Sequence, residues 1–384
     1  MSGAHVTTHP PLDRATTPSP GIRPGYHRLG FLSLHRGSRS RTRLHVDFPR
    51  SARGDIGASQ ASTSGNEEGW AEAGMEQPLV GLVNETRNKK EAYKEIARIH
   101  NLIPSCLLVL LGAWASGRSF AGFGNWTLWV MSLVSGGVAL ASVMINDYFD
   151  FISGVDKINS PNKPLPSGLI QPDIALLLTL ILYVSVLVAG CVMEPPLLRQ
   201  IIAASVASTL FYTPLLKGVT LVKNMVVAFV IAAAPASGAL GVGMGLEGVR
   251  RIAPLCTFIF CAIMAREIMM DINDTKGDGD SGINTVPVRF GKKTALFMAA
   301  ISWTVGMGYA MVHLWNGATV YFGTTIGDRL AKGAVLGLFM ISQPVYWGML
   351  KSLTSGFDTD TVAGVVRDSM VAVGNSLLVL TILV

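Results

Sequence analysis

The chain has 384 residues, of which 49% are hydrophobic and only 15% charged, with a mean hydropathy of +0.42. That balance is too apolar and too poor in charge for an ordinary soluble domain, and it points to a membrane protein. The formal charge of +6 does not indicate nucleic-acid binding, because the basic residues fall in an N-terminal tail and in short loops with no interleaved aromatic stripe.

Residues 1–60 read as a disordered transit peptide. Nine arginines stand in its first 55 residues against three acids (Asp13, Asp47, Asp55), amid many Ser, Thr, Pro and Gly. The expected destination is an organelle membrane, a plastid rather than a mitochondrion. Five of the seven histidines (His5, His9, His27, His35, His45) lie in this tail, so histidine-based chemistry is not expected in the body of the chain. The four cysteines (Cys106, Cys191, Cys256, Cys261) form no C-x-x-C pair, and neither a disulfide framework nor a zinc site is indicated. Residues 61–98 form a linker and a polar approach to the membrane. Residues 99–384 are the membrane domain, an all-α polytopic helical bundle of about nine transmembrane helices. The spans are predicted near 100–117, 126–147, 173–193, 197–213, 224–243, 252–270, 294–314, 331–350 and 366–384.

Loops after even-numbered spans share a face with the N-terminus, and most basic residues of the body fall there, including Lys157, Lys163, Lys217, Lys223, Arg289, Lys292 and Lys293. The positive-inside tendency assigns that face to the cytoplasmic or stroma-like side. Two acidic clusters lie on the same face. The first, in Asn146–Gly168, puts Asp147, Asp150 and Asp156 where a membrane helix surfaces, an expensive place for carboxylates. Asn146 and Asp150, four apart, share a helix face. Carboxylates at a helix C-terminus repel one another and the dipole, and a bound cation relieves both. The second cluster follows span six, where Asp271, Asp274 and Asp278 stand at i, i+3 and i+7 and line one face if the helix continues. An EF-hand calcium loop fails there on register, because its glycine and its closing glutamate would fall on Ile283 and Arg289.

Oxygen ligands without histidine or cysteine select hard cations, and Mg²⁺ in particular is shared between a few carboxylates and a substrate's phosphates. Lys163, in a proline-stiffened loop, and Lys217, after span four, lie on the same face. Two acidic clusters flanking lysines suit a diphosphate, while a bundle's apolar wall suits a long hydrocarbon tail. The expected substrate is an amphiphile with a polyanionic head at the interface.

These residues resemble a known family. Asn146-Asp-x-x-Asp150…Asp156 and Asp274-x-x-x-Asp278, each closing a membrane helix, are similar to the two aspartate-rich motifs of the UbiA-type intramembrane prenyltransferases. Asn162-Lys-Pro-Leu-Pro-Ser-Gly168, Tyr212 with Lys217, and Gly282-Ile-Asn-Thr-Val-Pro287 support the likeness, which runs from about residue 95 to the end. The motif style is closest to the branch that includes digeranylgeranylglyceryl phosphate synthase, chlorophyll synthase and plastid quinone prenyltransferases. The resemblance implies that Asn146, Asp150 and Asp156 bind one Mg²⁺ and that Asp274 and Asp278 bind another. It implies that Lys163 and Lys217 hold the diphosphate and that Asp147 and Asp271 stand behind the metal ligands. Tyr212 and Arg266 are further substrate-side candidates, with Arg266 placed either to brace the second cluster or to contact substrate. The implied reaction is ionisation of an allylic prenyl diphosphate and its capture by a hydrophobic or amphiphilic acceptor, whose identity stays open.

One departure matters. The family's first motif would end on Gly154, whereas the aspartate here is Asp156. Six residues from Asp150 is not one helix face, so the helix is expected to end near Ser153-Gly154 and Asp156 to return from the loop. Two alternatives compete. A CDP-alcohol phosphatidyltransferase would need a D-G-x-x-A-R motif that does not occur here. A cation-coupled transporter would place its carboxylates near the bilayer midplane, not at helix ends on one face.

Overall fold

The computed structural model describes residues 89–211, 219–322 and 324–383, all within the compact unit Trp70–Val384. The transit-peptide and linker expectations for residues 1–88 lie outside the described residues, as do Tyr212 and Lys217.

Every regular element among the described residues is helical. After a helical stretch over 89–96, α1 (Leu102–Gly117) and α2 (Trp126–Ser153) form the first pair, and the short α3 (Val155–Asn159) follows directly. Then come α4 (Pro172–Cys191), α5 (Pro196–Phe211), α6 (Val222–Gly241), α7 (Gly245–Arg251) and α8 (Ala253–Asp280). The chain ends with α9 (Val286–Phe290), α10 (Lys292–Phe322), α11 (Thr324–Thr354) and α12 (Thr359–Leu383). Seven of these are long and apolar enough to cross a membrane, and α7 with α8, bent by 58°, makes an eighth. The remaining predicted span corresponds to α5, which is apolar but only 16 residues long.

The helices overrun the predicted spans. The second was expected to stop at 147 and continues to Ser153, and the sixth was expected to stop at 270 and continues to Asp280. Hydropathy registers where side chains turn polar, but the backbone keeps its helical hydrogen bonds past that point. Asn125 starts α2 by accepting from the Thr127 amide (3.0 Å), and Gly154 ends it in the left-handed conformation (φ 82°). The expected stop near Ser153-Gly154 therefore stands. Asp156 does not return from a loop, however, but from α3, which begins at once.

Two large cores divide the bundle. One gathers side chains of α1, α2, α4, α5 and α6, and the other those of α6, α8, α10, α11 and α12. They meet at α6, which packs against both α1 and α8. The α1–α6 crossing brings backbone to backbone: a Cβ at Gly238 would lie 1.9 Å from the Val109 carbonyl oxygen, and one at Gly112 would lie 2.0 Å from that of Pro235. In a bilayer, where apolar burial gives helices no advantage over lipid, such small-residue contacts carry association through close packing. A third, smaller core joins Ala92 and Ile96 to Met144 of α2, Leu165 and Ile170 of the following loop, and Ala175 of α4.

A Gly238→Ala substitution should force α1 and α6 apart and lower stability by about 1–3 kcal/mol, the usual effect of overpacking. Thermal unfolding in detergent measures this, and an unchanged midpoint would show that the crossing yields without cost.

Candidate functional site

The last turns of α2 carry the first cluster. Asn146 and Asp150 line a shared cavity, and the Asn146 Nδ2 donates to Asp150 Oδ2 (3.0 Å). Asp147 faces a different neighbourhood, accepting at Oδ1 from Arg98 Nη2 (3.3 Å) and Lys163 Nζ (3.0 Å). Lys163 also donates to Asp156 Oδ1 (2.9 Å), so one ammonium bridges two carboxylates whose side chains are 6% and 4% exposed. Its loop is held by the third core, where Leu165 and Ile170 are buried against Met144. The other Asp156 oxygen, Oδ2, is buried with no hydrogen-bond partner.

Asp156 and Lys163 lie beyond the membrane-spanning helices, and their proton affinities follow from their surroundings. Burial pushes the Asp156 carboxyl above the ordinary aspartate range, with Lys163 only partly opposing it. For Lys163, burial pulls downward, but Asp147 and Asp156 together outweigh it and hold the ammonium above the usual lysine value.

The second cluster lies on α8. Because this helix runs unbroken to Asp280, Asp271, Asp274 and Asp278 all reach the same cavity as Asn146, Asp150 and Asp156. Asp271 is held from α6: Lys223 Nζ donates to its Oδ1, and Asn224 Nδ2 donates to its Oδ2 (2.9 Å). Both of its oxygens are thereby engaged by protein donors. The two clusters are clamped together where α3 meets α8, since a Cβ at Gly277 would lie 2.0 Å from Asn159 Oδ1. Any larger residue at 277 would have to displace the Asn159 amide. Arg266 does not reach the aspartates. It pairs with its neighbour Glu267 (2.8 Å), and both residues line the cavity.

The cavity encloses about 670 Å³. Below the polar end its walls are apolar, with Leu108 and Leu111 of α1, Met131 and Val138 of α2, Ile263 of α8 and Leu377 of α12. Along α2 the lining runs from Asn146 down to Met131, a depth of about 22 Å at the helical rise per residue. One chamber thus has a charged mouth and a long hydrocarbon-like barrel. Among the described residues, no three His, Cys, Asp or Glu side chains converge into a ready-made ion cage.

Sequence reasoning missed Arg98, Asn159, Asn224 and Glu267. Arg98 and Asn224 are polar residues beside apolar spans with no motif around them. The proximity of Asn159 to Gly277 exists only in three dimensions. Glu267 was legible as a second charge beside Arg266 within an apolar run.

Known proteins resemble this chain in sequence and fold. The UbiA prenyltransferase family model matches residues 105–337. The digeranylgeranylglyceryl phosphate synthase of Pyrococcus furiosus is 36% identical over 216 residues, covering 55% of this chain and 73% of that protein. The synthase of the same name from Methanospirillum hungatei is 27% identical over 249 residues, covering 64% and 86%. A solved digeranylgeranylglyceryl phosphate synthase structure superposes with a TM-score of 0.54 at 21% identity, covering 77% of this chain and 98% of that one. A UbiA homologue from Aeropyrum pernix gives 0.53 at 15% identity, covering 73% and 98%. At these identities the superpositions speak to the fold alone. The match over more than half of its length makes this chain a multi-pass membrane member of the UbiA prenyltransferase family.

Proposed function

We propose that the protein transfers a prenyl group from an allylic prenyl diphosphate to an amphiphilic acceptor, with Mg²⁺ and the diphosphate held between the two acidic clusters. The observation that carries this reading is the single cavity lined at one end by Asp150, Asp156, Asp274 and Asp278 and along its depth by apolar side chains. A prenyl diphosphate has the same division between polyanion and hydrocarbon.

The residues present fit a hard cation. The donor set is all oxygen, and Asp156 Oδ2 is a buried acceptor with no protein donor. Asn146, Asp150 and Asp156 would hold one ion, and Asp274 and Asp278 another. Bound Mg²⁺ supplies Lewis-acid stabilisation of the charge left on the diphosphate.

The chain's own groups do the rest. Lys163 and Lys217 neutralise the diphosphate as the allylic carbon–oxygen bond breaks with its electron pair leaving on oxygen. The apolar barrel orients the chain and keeps water from the electron-poor carbon. Asp271, engaged by Lys223 and Asn224, fixes the angle at which α8 presents Asp274 and Asp278. The activity of the archaeal relatives supports a prenylated glyceryl phosphate as acceptor. Residues 1–60 would direct the protein to an organelle membrane, and import of a fusion carrying them into isolated plastids and mitochondria tests that part.

Purified protein with Mg²⁺, geranylgeranyl diphosphate and a prenylated glyceryl phosphate should form a doubly prenylated product and release diphosphate. Asp150→Ala and Asp278→Ala should each lower its rate by about 100-fold or more, the scale of losing electrostatic stabilisation of a leaving group. Unchanged turnover in either variant would refute the assignment.

Lys163→Met should leave Asp147 and Asp156 without their shared cation. The deficit exists only where the carboxylates are ionised, so the variant's thermal midpoint should fall below wild type at neutral pH, and the gap should narrow as pH falls and Asp156, whose carboxyl burial raises, takes up its proton. In the wild type the lysine's contribution is complete at neutral pH and is lost only as pH rises through its raised folded value. A pH-independent difference would show that Lys163 acts by packing instead of charge.

A further inference from the structure

Lys163 makes contacts that binding a diphosphate does not require. Its side chain, 25% exposed, lines the cavity, yet two of its three N–H donors go to carboxylates, Asp147 Oδ1 (3.0 Å) and Asp156 Oδ1 (2.9 Å). The two acceptors differ. Asp147 is not among the cavity-lining residues and has a second cation, because Arg98 Nη2 reaches the same oxygen (3.3 Å). Asp156 does line the cavity, and its second oxygen, Oδ2, is buried with no hydrogen-bond partner. The Lys163 loop is fixed by Leu165 in the third core, while the ammonium rides on a flexible four-carbon stem. The charge is therefore free to move while the loop stays in place. An ion on Asp156 would share that carboxylate with the ammonium, setting two positive charges against each other at a buried site where screening is weak. A diphosphate reverses the balance, since it offers Lys163 anionic oxygens in exchange for the carboxylate it gives up.

We propose that Lys163 is a placeholder cation that makes metal binding at the first cluster conditional on the diphosphate. This inference rests on the prenyltransferase reading and deepens it by fixing an order of events. Before the substrate arrives, Lys163 covers Asp156 and keeps divalent ions from settling there. When the diphosphate enters, Lys163 exchanges its bond to Asp156 for one to a phosphate oxygen. Asp147 stays paired with Arg98, so the move strands no buried charge. Asp156 is then open to an ion that it shares with the phosphates. The coupling is reciprocal by linkage, and metal and diphosphate each tighten the other.

The test reads Mn²⁺ binding by electron paramagnetic resonance on the full-length protein in lipid nanodiscs, with and without inorganic pyrophosphate. Lys163→Gln should raise the affinity for Mn²⁺ alone about tenfold, a usual size for coupling between sites. Pyrophosphate should then add far less than it does in wild type. Combining it with Asp156→Asn should remove the gain, which assigns the ion to the first cluster. Arg98→Gln deletes a neighbouring positive charge without uncovering Asp156 and should raise Mn²⁺ affinity far less. Equal gains in Lys163→Gln and Arg98→Gln would reduce the effect to general electrostatics and overturn the proposal. Unchanged or weaker Mn²⁺ binding in Lys163→Gln would also overturn it, leaving Lys163 a diphosphate ligand or a brace for its loop. Wild-type structures with Mn²⁺ alone and with Mn²⁺ plus pyrophosphate read the same exchange with no substitution. Lys163 should bond Asp156 in the first and a phosphate oxygen in the second, and Mn²⁺ on Asp156 without pyrophosphate would overturn the proposal while leaving the prenyltransferase reading intact. Failure of wild type to bind Mn²⁺ and pyrophosphate together would overturn both.

Discussion

Concentrating negative charge at the ends of two helices is the constraint around which the rest is built. Asp147 and Asp150 close α2, and Asp274, Asp278 and Asp280 close α8, each set lying where the helix dipole is itself negative. Such an arrangement is self-repelling and poorly solvated, and it persists only with cations close by. The chain provides several of its own. Lys163 spans Asp147 and Asp156, Arg98 joins Asp147, and Lys223 with Asn224 holds Asp271. What these do not cover, notably one Asp156 oxygen, is what a divalent ion and its phosphate would meet.

The packing exists to hold that charge in register. The third core seats the Lys163 loop through Leu165 and Ile170. The contact of Asn159 with Gly277 joins the end of the first motif to the second, and the tight α1–α6 crossing ties the two halves of the bundle around the barrel between them. Each device lies away from the reacting atoms yet fixes the distance between carboxylates on different helices. A shift of an ångström there changes which oxygens an ion can share.

Much of this was legible in the sequence because hydropathy and charge report directly on a membrane bundle. Eight of the nine apolar runs correspond to the long helices and the ninth to the 16-residue α5, and parity put Asp150 and Asp278 on one face. The repeat Asp271, Asp274, Asp278 named the inward face of α8 before its length was known. The ends of the helices were not legible, because a span and a helix are different things: one ends at polar side chains, the other at a backbone stop such as Gly154. The partners of the charges were hidden as well. Nothing in Lys163-Pro-Leu-Pro says that the lysine lies between two aspartates, and nothing near Asn224 announces a carboxylate 47 residues away. Those are long-range pairings that no local period encodes. Arg266, expected either to brace the second cluster or to contact substrate, pairs with its neighbour Glu267 instead of with the aspartates and lines the cavity.

The central claim is that the two acidic helix ends jointly grip metal-bound diphosphate at the head of an apolar barrel. A structure of the protein in lipid with Mn²⁺ and geranylgeranyl thiolodiphosphate, with the ions located by anomalous scattering, tests it most directly. Anomalous peaks in contact with Asp150 and Asp156 on one side and Asp274 and Asp278 on the other, with the chain running toward Met131, are the predicted result. Ions bound elsewhere, or a diphosphate lying outside the cavity that these aspartates share, would contradict it.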